Sequence, residues 1–237
     1  MKIASAPQTP LPSFPQQSPI HLEDPIHADL GDRGLQLDWA DIGTLQCRAQ
    51  DGDHGASVEV EGDSAAIHLD RQGFELKGFH FHTPSEHVVE GKRYPLELHL
   101  VHQNRENGKV AVLGVLVDTD SDPNQHHEPL HKFLREVKEA LPNEGPVHVD
   151  PAILLPKFPS HYYRYEGSLT TPGYDSNVSW VVFKEPLRVC PDELAELSDV
   201  FEKEARDIQP LHRRFVLATF PPEIKTPVKA PAAPRKT

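Results

Sequence analysis

The sequence predicts a mainly β domain of the α+β class, with one core and a few helices on its surface. Three observations carry that prediction. Short runs rich in Val, Leu, Ile and Phe recur along the chain, often alternating apolar with polar residues and bounded by Gly, Asp or Pro. Only two stretches show a strong helical pattern. The chain has 237 residues, 37% hydrophobic and 25% charged, which suffices for one sizeable core, and it has no internal repeat and no linker in its middle.

The elements follow in order. Residues 1–13, which hold most of "APQTPLPSFP" (6–15), read as a flexible proline-rich segment, and 14–221 as a single domain. "ASVEVEGDSAAIHLD" alternates on two runs around a turn at Gly62-Asp63. "GFELKGFHFH", "LELHLVH", "VAVLGVLVD" and "VSWVVFKEPL" are further strands, and the near-continuous apolar run "VAVLGVLV" suits a central strand covered on both faces. "PLHKFLREVKEAL" sets Leu130, Phe133, Leu134, Val137 and Leu141 on one helical stripe, with Pro142 after it. "CPDELAELSDVFEKE" opens on Pro191, Asp192 and Glu193, a favourable start for a second helix. The Pro/Lys-rich end, 222–237, reads as a disordered tail.

Composition removes several function classes. A formal net charge of -12 without a basic stripe argues against nucleic acid as a partner. The longest apolar runs fall far short of the ~20 residues that span a membrane, so no membrane partner is expected. The first twenty residues hold no apolar signal-peptide core, which places the chain in the cytoplasm unless a leader was removed, and then in the periplasm or outside the cell. Cys47 and Cys190 are the only cysteines and can either pair or stand as free thiols. With 15 histidines, a metal site here should be built from imidazole.

The stretch "GFHFHTPSEHVVEGKRYPLELHLVH", Gly78 to His102, concentrates five histidines and three glutamates. Side chains two apart on a strand share a face, with Cα atoms ~6.6 Å apart. His80 and His82 therefore project together while Phe79 and Phe81 point to the core. In "LELHLVH", Glu97, His99 and Val101 share one face and Leu96, Leu98 and Leu100 the other, leaving His102 opposite His99. If the two strands are antiparallel neighbours at ~4.8 Å, three imidazoles can meet one Zn²⁺ and leave a fourth position open. Three neutral ligands leave the ion's charge uncompensated, which acidifies bound water. The spacing His80-x-His82-xxx-Glu86 also copies half of a cupin metal motif, but Gly73, Gly78 and Gly91 do not fall at cupin offsets.

Taken together, "FHFHTPSEHVVEGKRYPLELHLVH", "YEGSLTTP", "SWVVFKEP" and "QSPI" resemble the α-class carbonic anhydrases, in the bacterial style, in the right order from Gln17 to about Phe220. The resemblance implies a central, roughly ten-stranded mixed sheet and zinc held by His80, His82 and His99. The activity it implies is reversible hydration of CO2 to bicarbonate and a proton by zinc-bound hydroxide, with esterase activity on activated esters as a side reaction. CO2 and bicarbonate are then the small-molecule partners, sulfonamides and anions the inhibitors, and the protein a monomer or homodimer. A non-catalytic binding or storage homologue on the same fold is the main alternative, and a cupin-type metal oxygenase a lesser one.

The resemblance also assigns roles. Thr170 accepts the hydroxide's proton and donates its own to Glu86, since a carboxylate can only accept. Glu97 orients His99, and His87 is a buried support near Glu86. Val101, Val112, Leu169 and Trp180 form the apolar wall for CO2, and Thr171 helps to position bicarbonate or an anion. His54 in "DGDHGASVEV" aligns with the proton shuttle, which is needed because release to water alone caps turnover near ~10³ s⁻¹. There are departures. Gly78 stands where relatives carry a glutamine bonded to the first ligand, so weaker zinc retention or altered activity is expected, with Gly78→Gln as its test. Ser57 and Lys77 replace an amide and an apolar residue of the pocket, Asn177 replaces the second bacterial cysteine, and the aromatic segment before "QSPI" is missing.

Overall fold

The apolar run at Val110–Thr119 forms a strand buried along most of its length, in the middle of a large mixed sheet. The computed structural model describes residues 15–39, 42–52, 55–62, 65–201 and 205–222. Over these residues the sheet counts 13 strands. Its main path is ten strands long and runs Pro146–Val149, Leu45–Gly52, Gly55–Glu61, Gln72–His82, Leu96–Gln103, Val110–Thr119, Ser176–Phe183, Tyr162–Ser168, Leu217–Ala218 and Ile26–His27. Gln36–Asp38, Ala66–Leu69 and Leu187–Val189 attach beside that path. Val110–Thr119 runs parallel to Ser176–Phe183 and to Leu187–Val189, whereas its pairing with Leu96–Gln103 is antiparallel. A separate three-stranded sheet of His21–Leu22, Val88–Val89 and Lys92–Arg93 ties the start of the domain to the loop after the first histidine strand.

Alternation along the strands divides the core in two. Phe79, Phe81, Leu98, Leu100, Leu113 and Val115 pack on one face, under the helix Glu128–Ala140. Ile20, Leu22, Val112, Leu116, Tyr165 and Trp180 pack on the other. Each fully buried Leu, Val or Phe contributes ~1.5–3 kcal/mol relative to exposure, so both faces are held chiefly by burial. Within the helix, Leu130, Phe133, Leu134 and Val137 are the buried stripe, and Leu141 is buried in the short 3-10 turn that follows. The ring nitrogen of His127 accepts a hydrogen bond from the Leu130 N–H at 3.1 Å and caps the helix start. The second helix, Pro191–Phe201, carries Asp192 and Glu193 in its first turn, where the helix dipole favours acids.

Both cysteines are free thiols. Cys47 is buried in the sheet; burial, with Glu61 and Glu136 adding to it, pushes its thiol up to about 12, which leaves it a poor nucleophile. Among the described residues no helix is long and apolar enough to cross a membrane. Apart from Pro222, the ends expected at 1–13 and 222–237 lie outside the described residues, as does Asp63 of the expected turn.

Candidate metal centre

Register brings the histidines together. The Gln72–His82 and Leu96–Gln103 strands pair antiparallel, with His80 opposite His99 and Glu97 opposite His82. Their rings emerge on the Trp180 side of the sheet, while Phe79 and Phe81 enter the other core. His80, His82 and His99 line one cavity of about 150 Å³. Val101, Val112, Leu169 and Trp180 form its apolar wall, and Thr170 and Thr171 complete the lining. Val112 reaches the cavity from the neighbouring strand and Trp180 from the next, where the two are register partners. The Trp180 indole N–H donates to the Ser168 carbonyl at 2.9 Å, which fixes the ring.

Glu97 is fully buried and organises the support behind His99. Its Oε1 accepts from His99 Nε2 at 3.0 Å and from His87 Nδ1 at 2.7 Å, and its Oε2 accepts from the His87 backbone N–H at 2.9 Å. Burial alone would raise this carboxyl, but the His87 and His99 rings that face it and donate hydrogen bonds to it outweigh that and hold it well below the usual range. A carboxylate can only accept, so the His99 proton sits on Nε2 and the Nδ1 lone pair is left for a metal. Gly114 faces His99 across the next pair, and a Cβ there would stand 3.0 Å from Glu97 Oε1. The same Cβ would meet Val182 Cγ2 at 3.2 Å, so a side chain at this position would crowd two neighbours. Behind Glu97, His87 Nε2 lies 2.7 Å from the Tyr165 hydroxyl, itself 2.8 Å from Ser18 Oγ.

Glu86 is buried beside the same rings. Its Oε1 lies 3.6 Å from His82 Nδ1, its Oε2 lies 4.0 Å from His99 Nδ1, and the His82 and His99 ring centroids are 4.4 Å apart. Oε1 accepts from the Arg206 backbone N–H at 3.0 Å. Oε2 is buried and has no hydrogen-bond partner among the described residues, so the bond from Thr170 that the resemblance implies is not seen there. His82, Glu86 and His99 place donor atoms within 4.8 Å of one another. The donor set fits zinc: three imidazoles line one cavity, one of them tautomerically fixed by a carboxylate, and a carboxylate oxygen with no partner among the described residues lies beside two of them.

The departures now have positions. At Gly78 a Cβ would stand 2.5 Å from the Val58 carbonyl oxygen of the adjacent strand. A glutamine would therefore force the backbone, and Gly78→Gln is not a clean test of a missing contact. A bulge lies beside this point, since Val101 pairs with Gly78 but His102 with Leu76. Ser57 pairs opposite His80 and Lys77 forms an ion pair with Glu75, and neither lines the cavity. His102 lies on the other face, stacked on Trp39 at 6.1 Å, and burial drives its imidazole down to about 3. His54 lies outside the described residues. Sequence reasoning gave no role to Tyr165 or Ser18, although both stand inside quoted motifs, and it had no local pattern by which to find Arg206.

The model of the eukaryotic-type carbonic anhydrases matches residues 7–220. A carbonic anhydrase of Nostoc sp. is 34% identical over 69% of this chain, which spans 61% of the Nostoc protein's length. Dioscorin DB3S of Dioscorea polystachya is 29% identical over 85% of this chain and 75% of its own. The α-carbonic anhydrase of Thermovibrio ammonificans, solved with sulfanilamide, superposes with a TM-score of 0.72 at 34% identity, covering 85% of this chain and 86% of that one.

Proposed function

The chain belongs to the eukaryotic-type, or α-class, carbonic anhydrase family, and we propose that it hydrates CO2 reversibly to bicarbonate with zinc held by His80, His82 and His99. The observation that carries this reading is the cavity itself, which joins three imidazoles and two threonines to four apolar residues. When bound, zinc supplies a Lewis-acid centre that lowers the pKa of water to ≈ 7, a general figure for this enzyme class.

The chain's own residues do the rest. Glu97 keeps His99 in one tautomer, and the Tyr165–His87 contact keeps Glu97 in place. Val101, Val112, Leu169 and Trp180 offer an apolar surface to an uncharged substrate and exclude water from it. Thr170 and Thr171 line the cavity beside the nucleophile and the product anion; the role of Thr170 as hydrogen-bond acceptor from the nucleophile, and donor to Glu86, belongs to this proposal. His54 is proposed to carry the proton to solvent. Sulfonamides would compete for the same cavity, as the sulfanilamide complex of the Thermovibrio relative suggests.

The dioscorin match makes a non-catalytic homologue the second reading. Against it, all three imidazoles, Thr170 and Glu86 are present around the cluster. One zinc-loaded preparation, assayed for CO2 hydration with and without a sulfonamide, separates the two. Sulfonamide-sensitive hydration supports the proposal. One zinc per chain without hydration would establish the non-catalytic reading, and an iron-dependent oxidation would point to the oxygenase.

A further inference from the structure

We propose that the Arg206 guanidinium is a positioning residue, clamping the turn that carries Thr170 and Thr171 into the cavity; the inference rests on the carbonic anhydrase reading. The turn is poorly held by burial, since residues from Pro172 to Asn177 are exposed and Tyr174 keeps 39% of its surface. Gly173 and Tyr174 both have positive φ, 103° and 46°, and an L residue such as Tyr174 adopts that region only when its surroundings impose it. Two backbone bonds shape the turn from within, Tyr174 N–H to Thr171 O and Leu169 N–H to Asp175 O, each 2.9 Å. Neither ties it to the rest of the molecule.

Arg206 supplies that tie. Its guanidinium lies over the Tyr174 ring at 3.7 Å, donates through Nη1 to the Ser18 carbonyl at 2.7 Å, and donates through Nη2 to Gln17 Oε1 at 2.8 Å. Gln17 Nε2 donates back to the Tyr174 carbonyl at 3.1 Å, closing a ring of contacts. Only a planar, weakly hydrated cation can stack on the phenol and fork to two oxygens at once, so lysine is not equivalent. The backbone N–H of the same residue holds Glu86 Oε1. One residue thus sets both the threonine turn and the carboxylate behind it, and its side chain governs the turn.

The test uses the whole 237-residue chain, with and without zinc, as Arg206→Met, Arg206→Lys, Tyr174→Phe and Tyr174→Ser. Amide hydrogen exchange is read in peptides covering 169–176 and in the helix Glu128–Ala140, alongside kcat and KM for CO2 hydration. Arg206→Met and Tyr174→Ser should speed exchange in 169–176 by about tenfold and leave the helix unchanged. They should lower kcat by about tenfold with KM little altered, since misplacing a reacting group costs rate. Tyr174→Phe keeps the stacked ring and should behave as wild type, while Arg206→Lys should fall between. Unchanged exchange at 169–176, or equal acceleration in the helix with kcat preserved, would overturn the proposal. So would a Tyr174→Phe variant as impaired as Tyr174→Ser. If the wild-type protein hydrates no CO2, the activity reading fails, while the exchange data still decide whether the clamp exists.

Discussion

Gly78 faces the Val58 carbonyl at a distance that leaves no room for a side chain, 2.5 Å to an ideal Cβ. The residue that looks like a lost contact to His80 is therefore also a packing requirement of two adjoining strands. Gly78→Ala should destabilise by about 1–3 kcal/mol, the usual range for overpacking, and lower Tm by roughly 2–4 °C per kcal/mol. A melting curve at or above wild type would contradict this. Gly114 is a milder case, since a Cβ there would crowd the side chains of Glu97 and Val182 at 3.0 and 3.2 Å and not a backbone oxygen. Glu97 itself has a depressed folded-state pKa, so its contribution to stability is present above the ordinary carboxylate range and is lost as pH falls through the folded value. The shared face of His80 and His82 was legible from their spacing, whereas grouping His99 with them rested on the resemblance and on a strand pairing that the fold supplies. The glycine contacts were not legible, because each depends on a neighbouring strand whose register no local pattern reveals.

The Gln72–His82 strand does two jobs through its period of two, with His80 and His82 on the cavity side and Phe79 and Phe81 in the core. Phe133 of the Glu128–Ala140 helix stands 5.7 Å from Phe79 and 6.1 Å from Phe81 by ring centroid, and Phe81 stacks on Phe201 at 4.5 Å. The helix thus braces the strand from behind the proposed ligands. Phe133→Ala should cost about 3–5 kcal/mol without touching a ligand. Thermal denaturation should show a clear loss of Tm, while zinc stoichiometry well below that Tm stays at wild-type level. A loss of zinc binding in the still-folded variant would mean that the helix matters to the site and not only to stability. The helical stripe was readable from its spacing, but its cap was not, since histidine seldom serves in that position.

Across the whole molecule, the site is assembled by pairings far apart in sequence. Arg206 meets Glu86 120 residues away, and Ser18 lies beside Tyr165 at a separation of 147. Such contacts carry no periodicity, so the resemblance could name the residues that line the cavity but no local pattern named the parts that hold them. The mixed sheet also leaves one choice for experiment. His82, Glu86 and His99 lie within 4.8 Å of one another, whereas the proposed ligand set takes His80 in place of Glu86. Zinc affinity, titrated against a chelator for wild type, His80→Ala and Glu86→Gln, distinguishes these sets. Loss of a supporting partner typically weakens metal binding by about 10–100-fold. The proposed set predicts that His80→Ala weakens zinc by more than about 100-fold, while Glu86→Gln still binds one zinc near wild-type affinity. Unaltered affinity in His80→Ala with loss of zinc in Glu86→Gln would contradict it.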